Sequence, residues 1–109
     1  MHVWDLAAAH LAAIDRFDSL LTESEPSMAI NLGTGSGTTV RELCAAFNQV
    51  VDTPLTTVDA EPRPVDVAGG YTKSDRAQKL LRWTPAFSLT EGIRSSLDWI
   101  PVRDELLKD

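Results

Sequence analysis

The chain has 109 residues, one domain's worth, and at 43% hydrophobic and 24% charged its composition is that of an ordinary soluble globular protein. Sixteen acidic residues against ten basic give a net charge of −6, which excludes nucleic acid and anionic membrane as default partners because both require a basic face. The single cysteine, Cys44, excludes an intrachain disulfide and a cysteine-rich metal site and fits a reducing cytoplasm, and no run approaches the roughly 20 apolar residues of a membrane span. An anionic small ligand stays compatible with this charge, since one local arginine can hold a phosphate.

From Asp5 to Leu21 the pattern predicts a helix. Leu6, His10, Ile14, Phe17 and Leu21 recur at spacings of four and three and so share a face, with Asp5 as the N-cap. The run is too short and carries too many polar residues for a signal peptide. Thr22 to Ser27 reads as a polar turn, and Met28 to Leu32 as a short buried strand. Gly33-Thr34-Gly35-Ser36-Gly37 is a loop leading into a second helix. Thr39 and Glu42 form a capping box there, and Val40, Leu43, Cys44, Phe47, Val50 and Val51 make its apolar stripe. Asp52-Thr53-Pro54 stops that helix. Leu55 to Val58 reads as a strand, Asp59 to Asp66 as an irregular loop with two prolines, and Val67 to Thr72 as a further short strand weakened by Gly69-Gly70.

Ser74 opens a helix carrying Ala77, Leu80 and Leu81, ended by Trp83-Thr84-Pro85. Ser88 and Glu91 form another capping box, before a helix with Ile93, Leu97 and Ile100 on one side and a break or kink at Pro101. The expected fold is α/β, or α+β in isolation: a small sheet of two or three strands with about four helices. So thin a sheet covers few helices, a physical reason to expect further chain to complete it.

Two motifs invite a ligand. Gly33-Thr34-Gly35-Ser36-Gly37-Thr38 sits between strand and helix, but its glycines alternate, and Thr38 occupies the place of the last glycine of a dinucleotide fingerprint. The plainer reading is a tight turn needing positive φ. A phosphate resting on the following helix N-terminus stays open, whereas a Walker loop does not, for want of a lysine. Arg63 and Asp66, three residues apart between prolines, are the best ligand candidates. The arginine fork suits a diphosphate and the carboxylate suits ribose hydroxyls; the plainer reading is an exposed ion pair.

Other chemistry is missing. His2 and His10 have no acidic companions at metal-ligand spacing, and Cys44 lies on an apolar stripe. Trp4, Trp83 and Trp99 read as packing residues. Tyr71, the only tyrosine, is followed four residues on by Asp75 and so fails the Tyr-x-x-x-Lys pairing, in which a lysine tunes the tyrosine as a base. No catalytic residue is assigned.

Four ordered segments carry a resemblance to a known family. His2-Val3-Trp4-Asp5-Leu6-Ala7-Ala8-Ala9-His10 is similar to its H-V-x-D-L-A-x-A-H segment. Asn31-Leu32-Gly33-Thr34-Gly35-x-Gly37 is similar to N-L-G-T-G-x-G. Arg63-Pro64-Val65-Asp66-Val67-Ala68 is similar to R-P-G-D-V-A, and Leu80 to Ile93 to its closing L-x-W-x-P and S-L-x-E-G-I pattern. The chain thus resembles the C-terminal, substrate-binding portion of the UDP-glucose 4-epimerases, members of the extended short-chain dehydrogenase superfamily that invert C4 of UDP-glucose or UDP-galactose with bound NAD.

The resemblance implies that residues 1–109 are one UDP-sugar-binding domain or fragment. Its NAD-binding Rossmann domain, with the catalytic Tyr-Lys pair, would lie outside it, and no cofactor would be held by this chain alone. It also implies Arg63 at the diphosphate and Asp66 at the ribose or its neighbourhood. The expected parent is a cytoplasmic isomerase of galactose and carbohydrate metabolism, a homo-oligomer being one state open to it, and this piece is expected to be inert alone. The alternatives are a fragment of another sugar-nucleotide dehydratase or decarboxylase, or a non-catalytic module that self-associates. Val65 departs from the family's glycine, and Lys73 stands near where an aspartate usually opens the next helix, leaving Thr72 or Ser74 to cap it. The match starts inside the family's R-D-Y-I-H-V segment.

Overall fold

The structure, a computed structural model, describes residues 1–66 and 69–108. These form five helices: α1 (Val3–Asp15), α2 (Phe17–Leu20), α3 (Val40–Asn48), α4 (Asp75–Leu81) and α5 (Leu89–Leu106). No β-strand occurs among the described residues, so the expected two- or three-stranded sheet is replaced by helices with extended connections. The chain divides into two compact units, residues 1–37 with 69–87 and residues 38–66 with 88–108.

In the first unit, α1 begins earlier than its sequence suggests. His2, not Asp5, is the N-cap: its Nδ1 accepts the Trp4 N–H at 3.0 Å, and its ring stacks on Phe87 with centroids 4.2 Å apart. Asp5 lies in the first turn and is only 3% exposed. Its Oδ1 accepts the Ala86 N–H at 2.8 Å and its Oδ2 the Phe87 N–H at 3.4 Å, while its backbone carbonyl accepts the Trp83 indole N–H at 2.9 Å. A buried carboxyl group is costly unless it is hydrogen-bonded, and here both oxygens are.

The expected single helix from Asp5 to Leu21 is interrupted at Arg16, and its inward face is not the expected one. Ala9 is buried and Ala12 and Ala13 are half-buried, forming the core with Ala77, Leu81 and Trp83. Leu6, His10, Ile14 and Phe17 are exposed, as are Val3, Trp4 and Leu11. Helix α1 is apolar around most of its circumference, so periodicity alone offers more than one face. The small-residue face turns inward because α4 packs against α1 and brings in the fully buried Ala77.

Residues 28–32 do show the alternation of a strand. Met28, Ile30 and Leu32 are half-buried, and Ala29 and Asn31 are exposed. What is missing is a ladder. Side chains satisfy the backbone instead: Arg76 Nη1 donates to the Ala29 carbonyl at 2.8 Å. The Ser74 hydroxyl accepts the Gly33 N–H at 2.8 Å and donates to the Gly33 carbonyl at 2.6 Å. Ser74 therefore holds the N-cap position of α4 but makes no cap hydrogen bond with its side chain. At the far end of α4, Arg82 adopts a left-handed conformation with φ 53° and turns the chain so that Trp83 enters the core. The strand expected over Val67 to Thr72 lies partly outside the described residues, and residues 69–72 are not a strand.

In the second unit, α3 packs against α5. Both expected capping boxes form. Thr39 Oγ1 accepts the Glu42 N–H at 3.2 Å while Glu42 Oε2 accepts the Thr39 N–H at 2.7 Å. Ser88 and Glu91 repeat the arrangement at α5. The Asn48 side chain closes the turn after α3 by bonding both the N–H and the carbonyl of Leu55. With its end tied back to Asn48, residues 55–58 stay exposed and unpaired, not the expected strand. Helix α5 runs through Pro101 to Leu106 instead of ending there, although a proline removes one rung of the helix. Of the three tryptophans only Trp83 is a core residue; Trp4 and Trp99 are exposed. Cys44 is half-buried on α3.

Two outcomes follow from these contacts. Asp5→Leu leaves the Ala86 and Phe87 N–H groups unpaired and should lower stability by about 2–4 kcal/mol, read by thermal or urea unfolding. The Glu42 carboxyl is held below its ordinary value of 4.5 by the backbone N–H and then the hydroxyl of Thr39. A lowered folded-state value means that the support it gives α3 is complete above pH 4.5 and fades as pH falls through the lower folded value. An NMR titration should show the Glu42 midpoint rising toward 4.5 in Thr39→Ala.

Candidate functional site

Arg63 and Asp66 lie in the second unit, at the end of the loop that follows α3. Within that loop, Asp59 is tied back to α3 by an ion pair with Arg41 at 2.8 Å. Nothing in the spacing of these two residues foretells that pair. Further on, Arg63-Pro64-Val65-Asp66 forms a turn closed by the Asp66 N–H donating to the Arg63 carbonyl at 3.0 Å. Pro64 takes the second position of the turn, where its fixed φ is an advantage. Val65 takes the third and has no positive φ, so it stands without strain where the family pattern has glycine.

The turn brings the two candidates together, directly against each other. Asp66 Oδ1 accepts from Arg63 Nε at 3.0 Å and forms an ion pair with Nη2 at 2.9 Å, and Oδ2 accepts the Arg63 backbone N–H at 3.0 Å. The Arg63 side chain is 82% exposed and that of Asp66 40%. An exposed pair of this kind adds little to stability, so its geometry matters more than its energy.

The glycine loop lies in the first unit and is backed by the chain itself. A Cβ on Gly33 would sit 2.6 Å from the Thr72 carbonyl oxygen. Gly35 has φ +79° and donates its N–H to that same oxygen at 3.3 Å, and Gly37 faces the Tyr71 ring. The close approach that a dinucleotide fingerprint reserves for a pyrophosphate is thus taken by Thr72. The residues present do not fit NAD, and the loop is a tight turn whose glycines serve packing and backbone conformation.

The remaining candidates are structural. The His10 ring makes one hydrogen bond, between Nδ1 and the Leu6 carbonyl at 2.7 Å, and is exposed. Spacing left the roles of His2, as cap and stacking partner, and of Asp5, as a long-range anchor, without a signal. Among the described residues, no group of three or more metal-ligating side chains is assembled, and no helix is long and apolar enough to cross a membrane.

Comparison with known proteins relates the chain to the nucleotide-sugar epimerases. Its relatives there are UDP-glucose 4-epimerases, to one segment of which it is homologous over nearly all of its own length. The enzyme of Rhizobium leguminosarum bv. trifolii is 39% identical over 99 residues, 91% of this chain and 29% of the relative. That of Rhizobium meliloti is 38% identical over 105 residues, 96% of this chain and 31% of the relative. The crystal structure of the Bifidobacterium longum UDP-glucose 4-epimerase, in complex with NAD+ and UDP, superposes with a TM-score of 0.79 at 32% identity, covering 95% of this chain and 30% of that one. No family model matches. The chain thus spans about three tenths of the length of the epimerases it matches.

The glycine loop yields a stability test. Gly33→Ala should cost about 1–3 kcal/mol, because the new methyl meets a backbone oxygen that cannot swing aside. Gly70→Ala meets no atom within 4 Å and should stay within about 0.5 kcal/mol of wild type. Chemical denaturation of the two variants side by side checks the pair.

Proposed function

We propose that this chain is the C-terminal, nucleotide-gripping portion of a cytoplasmic UDP-glucose 4-epimerase-type enzyme. Arg63 takes the diphosphate of a UDP-sugar, and Asp66 lies toward the ribose. The observation that carries the reading is the homology, end to end, with one segment of epimerases, among them one solved with UDP. The Arg63 turn supports it, since it presents an exposed guanidinium on a proline-stiffened loop. NAD and the proton-transferring pair belong to the part of such an enzyme that this segment does not match. Tyr71 lacks a lysine four residues on, and the glycine loop is packed on Thr72. The isolated chain is accordingly inert as an epimerase, and its own contribution is orientation of the nucleotide.

A second reading is favoured by one observation. Helix α1 exposes Val3, Trp4, Leu11 and Ile14, and an apolar helix face of this kind is ordinarily covered. A self-associating, non-catalytic module would cover it with another copy.

The 109-residue chain should show no conversion of UDP-galactose with added NAD+. It should bind UDP weakly, in roughly the millimolar range. Arg63→Ala should weaken that binding about tenfold, the scale of a charge-assisted hydrogen bond. Turnover assays and an NMR titration check both. Robust turnover, or UDP binding indifferent to Arg63→Ala, overturns the proposal. A mass that rises with concentration, with no response to UDP, selects the second reading.

A further inference from the structure

We propose that the outward face of α1 is a self-complementary dimer interface, met by the same face of a second copy with the two helices antiparallel. This rests on the self-associating reading above and deepens it by naming the surface and its symmetry. It does not depend on the response to UDP.

At about 100° per residue, Val3, Ala7, Leu11 and Ile14 fall in one stripe along the helix, with Trp4 on one flank and Leu6 on the other. Val3, Trp4, Leu11 and Ile14 are each between 63% and 69% exposed. Single apolar side chains on a surface are ordinary, but a contiguous patch of them marks an interface. With Leu6 these side chains offer roughly 600 Å² per copy, so two copies bury about 1,200 Å² in all, where stable specific interfaces begin.

Charge selects the occupant. The chain carries a net charge of −6, so two copies repel wherever their acidic surfaces meet. The stripe holds no charged residue. Asp5 is buried on the other side of α1, and Asp15 is the last residue of the helix. Two copies therefore meet at this face without opposing their carboxylates, and a charged partner finds nothing there to pair with.

The direction follows from the same residues. A parallel pair would set the two Asp15 carboxylates side by side, whereas an antiparallel pair separates them and puts each helix N-terminus beside the other's C-terminus. A two-fold axis then lays Val3 of each copy against Ile14 of the other, and Leu6 against Leu11. Ala7, with one side-chain carbon, lets the helices approach near the axis. Trp4 is an anchor of the kind that dominates interface energetics.

Sedimentation equilibrium of the full 109-residue chain, from about 1 μM to 1 mM, should show the mass climbing from 11.9 kDa toward twice that, with a midpoint in the micromolar range. Leu11→Glu and Val3→Lys should each raise the midpoint at least about tenfold. Leu106→Glu, as exposed on α5 as Leu11 is on α1, should leave it unchanged. Trp4→Ala adds no charge to α1 and should also weaken the dimer, with circular dichroism reporting that each variant is folded. Val3→Lys combined with Ile14→Glu should dimerise more tightly than Val3→Lys alone, because the antiparallel pair opposes those positions. A monomer at every concentration overturns the proposal and the self-associating reading together. A dimer indifferent to the α1 variants, or a double variant no better than Val3→Lys, overturns the proposed interface alone. So does a mixed complex with the Rhizobium meliloti epimerase that displaces the dimer, since another occupant then covers the face.

Discussion

The buried carboxyl group of Asp5 is the contact on which the first unit depends. Without a sheet, that unit has no ladder to register its segments, and helices as short as α2 and α4 are marginal by themselves. Asp5 joins the first turn of α1 to the backbone of residues 86 and 87, some eighty positions away. The Trp83 indole bonds the carbonyl of the same residue. The ends of the unit are thus tied where Trp83 seals the small core of Ala9, Ala77 and Leu81. Among the described residues no buried side-chain polar atom lacks a partner, so the arrangement carries no desolvation penalty left uncompensated.

Ser74 does for residues 28–33 what Asp5 does for α1. Its hydroxyl meets the N–H and the carbonyl of Gly33 as a neighbouring strand would, and Arg76 covers the Ala29 carbonyl. The hydroxyl can do this because Gly33 has no side chain and sits close against Thr72. An extended segment with a half-buried alternate face is thereby held by side chains reaching from the start of α4.

This explains which parts of the structure were legible from residues alone. The Thr39–Glu42 and Ser88–Glu91 boxes and the exposed Arg63–Asp66 ion pair join residues three apart, and the sequence displays them directly, whereas the turn between the last two read only as irregular loop. A strand is a property of a pair. Met28 to Leu32 shows the right alternation but not the partner, and the sheet read from it was an error of that kind. The inward face of α1 was misread because an alanine-rich helix is apolar on several sides, and the choice fell to Ala77, far along the chain. The role of Asp5 was invisible for the same reason: a carboxylate at the start of a helix has an obvious local use, and its actual partners lie in another segment.

The Arg63–Asp66 pairing belongs to the legible class, and the geometry of its turn can be set beside the family pattern. The family pattern R-P-G-D puts glycine at the third position of the turn, where a type II turn would require positive φ. Here Val65 occupies that place without positive φ, and the turn still closes through the Asp66 N–H and the Arg63 carbonyl. What the turn needs from sequence is therefore the proline that fixes φ and the two charged residues that clasp each other. The glycine is dispensable to that geometry. Substituting a β-branched residue stiffens the turn further, since valine has fewer backbone states to lose on ordering than glycine. The departure at Val65 thus leaves the arginine's presentation intact, and the part of the motif that could address a nucleotide is the part this chain retains.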